Sequence, residues 1–414
     1  MKKTILPGKY HGEILAPASK SYLQRAIAIS CLANGTSNIL GYSYSKDVDV
    51  AVSVAKAMGA SIEIQQDKLT INGIQKIESE LLLNCGEAGL SARMFSAIAA
   101  LSNNEVVITG EGSLLERPMN MIVDALSQFG KSVKSTNGKL PITLKGKMTA
   151  AEATIDGAES SQLITGLLIA LPLLENDSVL HLKNPKSLPY LQMTLDTLHE
   201  FGIRIEHSDF TLFKIKGNQK IQSTNYFVEG DWSGAAFHLV AGAVAGAVCV
   251  GNLNSNSAQA DVAILEALKK CGANVVVNEN RISVSKNKLS AFIFDATNCP
   301  DLFPPLAVLA ACCEGRSEII GVSRLKNKES DRGKTLQSEF KNLGIEIEIQ
   351  GDSMFITRGK VRGGKVDSHN DHRIAMALAV LGLAADGSVE IEGAEAVEKS
   401  YPKFFDDFEK LRTN

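Results

Sequence analysis

The sequence predicts an α/β chain built from six copies of one unit and divided between two domains. Three observations carry this. Five charged amphipathic segments each run into a glycine and then a strand-like stretch, at Gly59, Gly130, Gly202, Gly272 and Gly344. A second, more apolar helix type ends near Gly35, Asn104, Asn176, Gly246, Gly315 and Gly387, so both series repeat roughly every 70 residues, the mark of a duplicated supersecondary unit. Finally, a chain of 414 residues is long for one core, and two domains of three units each is the natural split.

The order within a unit is clearest in the second copy. Residues 81–84 form a short apolar strand. Residues 89–101 are apolar almost all round, as a buried helix is. Residues 105–109 are β-branched and strand-like. Pro118 suits the first turn of a helix running to Phe129, and Gly130 suits its C-cap. Residues 132–135 and 140–144 flank Asn137-Gly138, a strong hairpin signal. The unit is therefore strand, apolar helix, strand, amphipathic helix, hairpin. The fourth copy turns its hairpin at residues 278–280 and the fifth at Gly351-Asp352. The sixth ends on a helix at residues 404–412, with no hairpin after it. The N-terminus carries a spare one, residues 4–6 and 13–15 around Pro7-Gly8. That hairpin is expected to complete the last unit. Both termini then share a discontinuous domain, residues 1–17 and 231–414, with residues 18–230 inserted. The crossings are expected near residues 16–19 and 229–231.

Composition narrows the function. The net charge of −3 offers no basic field for nucleic acid. No apolar run is long enough for a membrane span, and residues 1–20 lack a signal-peptide pattern. The seven cysteines are scattered, with no C-x-x-C pair, so neither structural disulfides nor a zinc site is expected, and a reducing cytoplasm fits. No exposed apolar stripe is left over, which favours a monomer.

Chemistry concentrates at the helix starts. The apolar helices begin near Ser19-Lys20-Ser21, Gly89-Leu90-Ser91, Ser160-Ser161-Gln162, Asp231-Trp232-Ser233, Asp301-Leu302-Phe303 and Asp371-His372-Arg373. Ser and Asp are ordinary N-caps there. Cations are not, because they oppose the helix dipole. Yet Lys20, Arg25, Arg93 and Arg373 lie in the first turns, and Arg117, the 328–332 cluster and Lys399 open the second helix series. One such cation is usually a surface charge; a set at equivalent places in a repeat points to a shared anionic ligand. No Walker A or G-x-G-x-x-G pattern is present, so a nucleotide is not implied. Asp301 and Glu329 stand among these cations and suit proton transfer on a substrate whose charges the cations neutralise. Each also has a plain reading, Asp301 as an N-cap and Glu329 as a helix-start ion pair.

At this point the chain resembles a known family over its whole length, the 3-phosphoshikimate 1-carboxyvinyltransferases or EPSP synthases. The segments that carry the resemblance are Ala18-Ser19-Lys20-Ser21 with Arg25, Gly89 with Arg93, Glu116-Arg117-Pro118, and Asp156-Gly157 with Ser160-Ser161-Gln162. They continue with Ser187 and Pro189-Tyr190, Glu229-Gly230-Asp231, Pro300-Asp301, Lys328-Glu329-Ser330-Asp331-Arg332, Asn370-Asp371-His372-Arg373 and Lys399. The resemblance implies the two-domain enolpyruvyl transferase fold, three βαβαββ units per domain, with the helix N-termini facing an interdomain cleft that closes on substrate.

It also implies roles. Lys20, Ser21, Arg25, Ser160, Ser161, Gln162, Ser187, Tyr190, Asp301 and Lys328 would hold shikimate 3-phosphate. Lys20, Gly89, Arg117, Gln162, Arg332, Arg373 and Lys399 would hold phosphoenolpyruvate. Lys20, Asp301, Glu329 and His372 are the candidate catalytic residues, although His372 also reads as a cap beside Arg373. The implied reaction is addition then elimination, with no metal or organic cofactor. The position of Gly89 bears on glyphosate sensitivity in this family, and sensitivity is expected here. One departure is Glu87-Ala88-Gly89-Leu90, where the family commonly has Asn-Ala-Gly-Thr or Asn-Ser-Gly-Thr. A carboxylate at Glu87 beside an anionic substrate needs a neighbouring cation or a path out of the site. The sister transferase acting on UDP-N-acetylglucosamine uses a cysteine in the loop before its Arg-Pro; residues 110–116 contain none. A catalytically inactive anion-binding homologue is the reading from another class, and both carboxylates count against it.

Overall fold

Duplication fixes the strand order. The computed structural model describes residues 1–74, 80–158 and 160–413. In the second copy Glu80–Asn84 lies parallel to Glu105–Thr109, which pairs antiparallel with Lys139–Lys145, itself antiparallel to Ser132–Thr136. Asn137 and Gly138 both have positive φ, as a two-residue hairpin turn requires. Gly130 has φ +81° just past the helix Asn120–Gln128, a conformation glycine adopts without strain. The third copy repeats the order with Glu152–Asp156, Ser178–Lys183, Leu212–Ile215 and Glu206–Ser208. The fifth does so with Ile293–Asp295, Arg316–Ile320, Ser353–Thr357 and Ile347–Gln350.

The chain divides into two units, one of residues 1–19 and 229–414 and one of residues 20–228. We call them the terminal unit and the inserted unit. In each, three apolar helices form the core: Lys20–Leu32, Gly89–Ala99 and Gln162–Ala170 in the inserted unit, and Trp232–Ala245, Phe303–Cys312 and His372–Gly382 in the terminal unit. Ten or more residues of Lys20–Leu32, Gly89–Ala99, Trp232–Ala245 and His372–Gly382 are buried on each helix, as their all-round apolar faces require. None of the described helices is long and apolar enough to cross a membrane. The cysteines are free.

The N-terminal segment corrects the sequence reading. It is not a hairpin. Lys2–Ile5 pairs antiparallel with Val389–Glu392 and completes the sixth sheet alone. Lys9–Leu15 joins the fourth sheet instead, parallel to Gly246–Gly251. A hairpin would have left one of these two sheet edges open. The same displacement occurs in the first copy, whose leading strand, Asn225–Phe227, comes from the far end of the inserted unit and lies parallel to Thr36–Leu40. The C-terminus also adds a short strand, Arg412–Thr413, against Lys9 and Tyr10. Residues 17–19 and 229–231 run side by side, with Ser19 N–H on Glu229 O at 2.8 Å and Asp231 N–H on Pro17 O at 2.8 Å.

Candidate active site

In the inserted unit the polar residues gather at the heads of the core helices. Lys20 opens its helix, and its Nζ lies 2.8 Å from Asp47 Oδ2. Arg25, two turns in, is 1% exposed. Its Nε donates to Thr194 Oγ1 at 3.0 Å, and its Nη atoms donate to Ser21 O at 2.8 Å, Tyr190 O at 3.1 Å and Thr165 Oγ1 at 3.4 Å. All four acceptors are neutral. Burial, with no counter-ion among the described residues, lowers the guanidinium to about 10. A buried cation held only by carbonyls and hydroxyls is costly, and an anionic ligand removes that cost.

The second helix starts at Gly89 with no side-chain cap, which leaves its N–H groups for a ligand. A Cβ at Gly89 would sit 2.9 Å from Arg117 Nη1 and 3.0 Å from Arg93 Nη1. Only glycine therefore lets both guanidinium groups close over this helix start. Arg93 Nη1 donates to Gln162 Oε1 at 2.9 Å, which ties the head of the second helix to that of the third. Gln162 N–H in turn donates to Ser160 Oγ at 3.2 Å. Ser161 occupies the N-cap position without using its hydroxyl as a cap. Ser187 heads the helix Leu188–Glu200 in the left-handed region, φ +59°, a strained conformation for a serine and of the kind that clusters at functional sites. Tyr190, one turn on, contributes its carbonyl to Arg25. Glu87 reaches over the loop before Arg117, where a Cβ at Gly112 would collide with its carboxylate.

In the terminal unit one guanidinium organises the cluster. Arg332 is 1% exposed and opens the helix Arg332–Asn342. Its Nη1 donates to Asp301 Oδ1 at 2.8 Å and its Nη2 to Glu329 Oε2 at 2.6 Å. Its Nε and Nη2 grip both oxygens of Asp371, at 2.8 and 3.2 Å. Burial pulls Arg332 down, but Asp371, Glu329 and Asp301 outweigh it and hold the group protonated, above its ordinary value. Asp301 also accepts from Arg373 Nη2 at 2.9 Å and from Lys328 Nζ at 3.4 Å. Burial would raise Asp301; Arg373, Lys328 and Arg332 reverse that and keep it well below the carboxylate range. Lys328 is lowered, by burial first. Lys399 Nζ lies 3.9 Å from Glu329 Oε1. His372 is 1% exposed beside Asp371, which caps the helix through Arg373 N–H.

Several participants were not assigned from the sequence. Asp371 reads as an N-cap, and it is one, yet its main burden is Arg332. Asp47 had no motif to announce it. Thr165 and Thr194 sit inside helices, where a buried hydroxyl on an apolar face was the available signal. Arg93, one of the cations in the first turns, bridges two helix heads. Trp232 is fully buried, with its Nε1 donating to Asn254 O at 3.0 Å, as packing requires.

The family model of EPSP synthase (3-phosphoshikimate 1-carboxyvinyltransferase) matches residues 6–408. The chain is 39% identical to a 3-phosphoshikimate 1-carboxyvinyltransferase of Clostridium novyi, covering 98% of this chain and 96% of that one. It is 41% identical to a protein of the same description from Methanocella arvoryzae, covering 97% and 96%. Among solved structures, EPSP synthase from Acinetobacter baumannii superposes with a TM-score of 0.84 at 27% identity, over 99% of this chain and 98% of that one.

Proposed function

This chain belongs to the EPSP synthase (3-phosphoshikimate 1-carboxyvinyltransferase) family, and from that premise we propose how its residues share the reaction. The enzyme transfers the enolpyruvyl group of phosphoenolpyruvate to the 5-hydroxyl of shikimate 3-phosphate, a step of the shikimate pathway. The products are 5-enolpyruvylshikimate 3-phosphate and phosphate.

The observation that supports the division of labour is the buried Arg332, which draws Asp301, Glu329 and Asp371 into one cluster beside Lys328 and Arg373. Glu329 relays a proton to the methylene carbon of phosphoenolpyruvate. The adjacent carbon becomes cationic, and the 5-hydroxyl oxygen attacks it. Asp301 or Lys20 accepts the hydroxyl proton. Asp301, held ionised by its cations, accepts a hydrogen bond from the sugar hydroxyl without first losing a proton itself. The tetrahedral adduct then loses phosphate and a methyl proton to give the enol ether. His372 stands beside the cluster as a further proton carrier. Every charge that develops meets an opposite one on these side chains, so the chemistry calls for no metal or organic cofactor.

Ser21, Arg25, Ser160, Ser161, Gln162, Ser187 and Tyr190, with Lys20, Asp301 and Lys328, hold shikimate 3-phosphate. Arg25 supplies the phosphate contact, because its present partners are all neutral. Lys20, Gly89, Arg117, Gln162, Arg332, Arg373 and Lys399 hold phosphoenolpyruvate. Residues 1–17 with 231–414 and residues 18–230 act as the two domains. The enzyme works as a cytoplasmic monomer without nucleic acid. Phosphate release from phosphoenolpyruvate tests the assignment. It should require shikimate 3-phosphate and not occur with UDP-N-acetylglucosamine; release with the sugar nucleotide alone would overturn it.

A further inference from the structure

Asp261 lies outside every role given above. It sits in the short turn Ala260–Ala263, 2% exposed. Its Oδ2 accepts from Ser233 Oγ, and its Oδ1 has no hydrogen-bond partner among the described residues. Helix capping does not explain it. The helix Trp232–Ala245 is already capped by Asp231, which accepts from Ser233 N–H at 2.8 Å and Gly234 N–H at 3.3 Å. Gln259 Oε1 takes Trp232 N–H at 3.2 Å. Asp261 is thus a buried carboxyl with one neutral donor, where Asp301, Glu329 and Asp371 each have a guanidinium.

The groups that act on its charge come from three neighbouring elements. Asp231 and Ser233 lie at the head of Trp232–Ala245, Asp301 in the turn Pro300–Leu302 with the Cys299 thiol before it, and Arg373 on His372–Gly382. Burial first, then the Asp301 and Asp231 charges, push Asp261 up to about 7, against the pull of Arg373 and Ser233. The Cys299 thiol is raised by burial and stays neutral. Arg373 binds Asp301 through Nη2, while its buried Nε has no hydrogen-bond partner among the described residues.

We propose that Asp261 takes up a proton as phosphoenolpyruvate binds, and thereby makes the affinity for that substrate fall as pH rises. This rests on the reading that Arg373 holds phosphoenolpyruvate. The substrate brings anionic charge to a guanidinium whose positive charge acts on Asp261. The added charge favours the neutral acid, and the Asp261 hydroxyl then donates to Ser233 Oγ, the reverse of the bond made by the carboxylate. Below neutral pH the proton is already in place. Above it, binding must draw one from solution, so affinity declines with pH.

The test uses calorimetry and kinetics on the full chain. Phosphoenolpyruvate is titrated into enzyme saturated with 5-deoxyshikimate 3-phosphate, which cannot be attacked, in two buffers of different ionisation heat near neutral pH. Wild type should take up a fraction of a proton more than Asp261→Asn. The KM for phosphoenolpyruvate should rise roughly three- to tenfold over about two pH units above neutrality in wild type, beyond the change seen in Asp261→Asn. The substrate's own phosphate ionisation is common to both and cancels. Identical proton uptake and identical pH profiles would overturn the proposal. If Asp261→Asn does not fold, Ser233→Ala removes the one donor to the carboxylate and should shift the pH limb upward; an unmoved limb would overturn it. Arg373→Gln separates the premise. An unchanged KM for phosphoenolpyruvate in that variant sinks the Arg373 assignment. A raised KM, with wild type and Asp261→Asn still sharing one profile, sinks the role of Asp261 alone.

Discussion

Arg25 of the inserted unit and Arg332 of the terminal unit are equally buried and oppositely solvated. Arg25 is surrounded by hydroxyls and carbonyls. Arg332 is surrounded by carboxylates. The first arrangement leaves positive charge for a ligand to neutralise. The second is balanced internally, and its cations hold Asp301 ionised before any substrate arrives. On the proposed division of labour, one region attracts an anion and the other moves protons.

The largest expected effect tests the second half of that contrast. Glu329→Gln should lower turnover by roughly 10²–10⁴-fold while shikimate 3-phosphate still binds. Unchanged turnover would remove Glu329 from the proton relay. Next, the two arginines should part company in stability. Arg332→Met leaves the buried Asp371 and the partly buried Asp301 and Glu329 without their shared cation and should cost about 3–5 kcal/mol, read by chemical denaturation. Arg25→Met removes a charge that has no counter-ion among the described residues, so the unliganded enzyme should be no less stable, yet its affinity for shikimate 3-phosphate should drop by about 1.5–3 kcal/mol or more. Equal destabilisation by both substitutions would break the comparison.

A smaller change sharpens the anion-binding half. Gly89→Ala places a methyl group against Arg117 and Arg93, whose tips must retreat by a few tenths of an ångström. The KM for phosphoenolpyruvate should rise about tenfold, with kcat and shikimate 3-phosphate binding altered less. A variant with wild-type KM would mean that these guanidinium groups are not poised over the helix start.

The smallest effect is on stability against pH, where two carboxyls of the terminal unit act in opposite senses. Asp301 is depressed in the folded state, so it contributes stability above its unfolded value near 4, and this is lost as pH falls below that value. Asp261 is raised to about 7, so it withdraws stability progressively as pH rises from about 4 to 7. Asp261→Asn should therefore raise the melting temperature at pH values above 7 and change little below 4. A variant less stable than wild type at alkaline pH would contradict the raised ionisation of Asp261.

Sequence alone determined the repeated unit, its strand and helix order and the helix starts where charged residues collect. These depend on local causes: apolar periodicity, a glycine at each helix end, Asn137-Gly138 at a turn, Ser and Asp at helix starts. It also brought out the cations that oppose their helix dipoles, because that conflict is visible within a few residues. Tertiary structure alone decided which chain segment fills which sheet. Lys2–Ile5 and Lys9–Leu15 look like one hairpin locally, but the open edges of Val389–Glu392 and Gly246–Gly251 claim them separately. It alone decided, too, that Asp371 serves Arg332 and that, among the described residues, Arg25 has no carboxylate partner and Asp261 is buried with a single donor. Ionisation depends on burial and on charges brought together from distant parts of the chain, and no window of sequence contains that information.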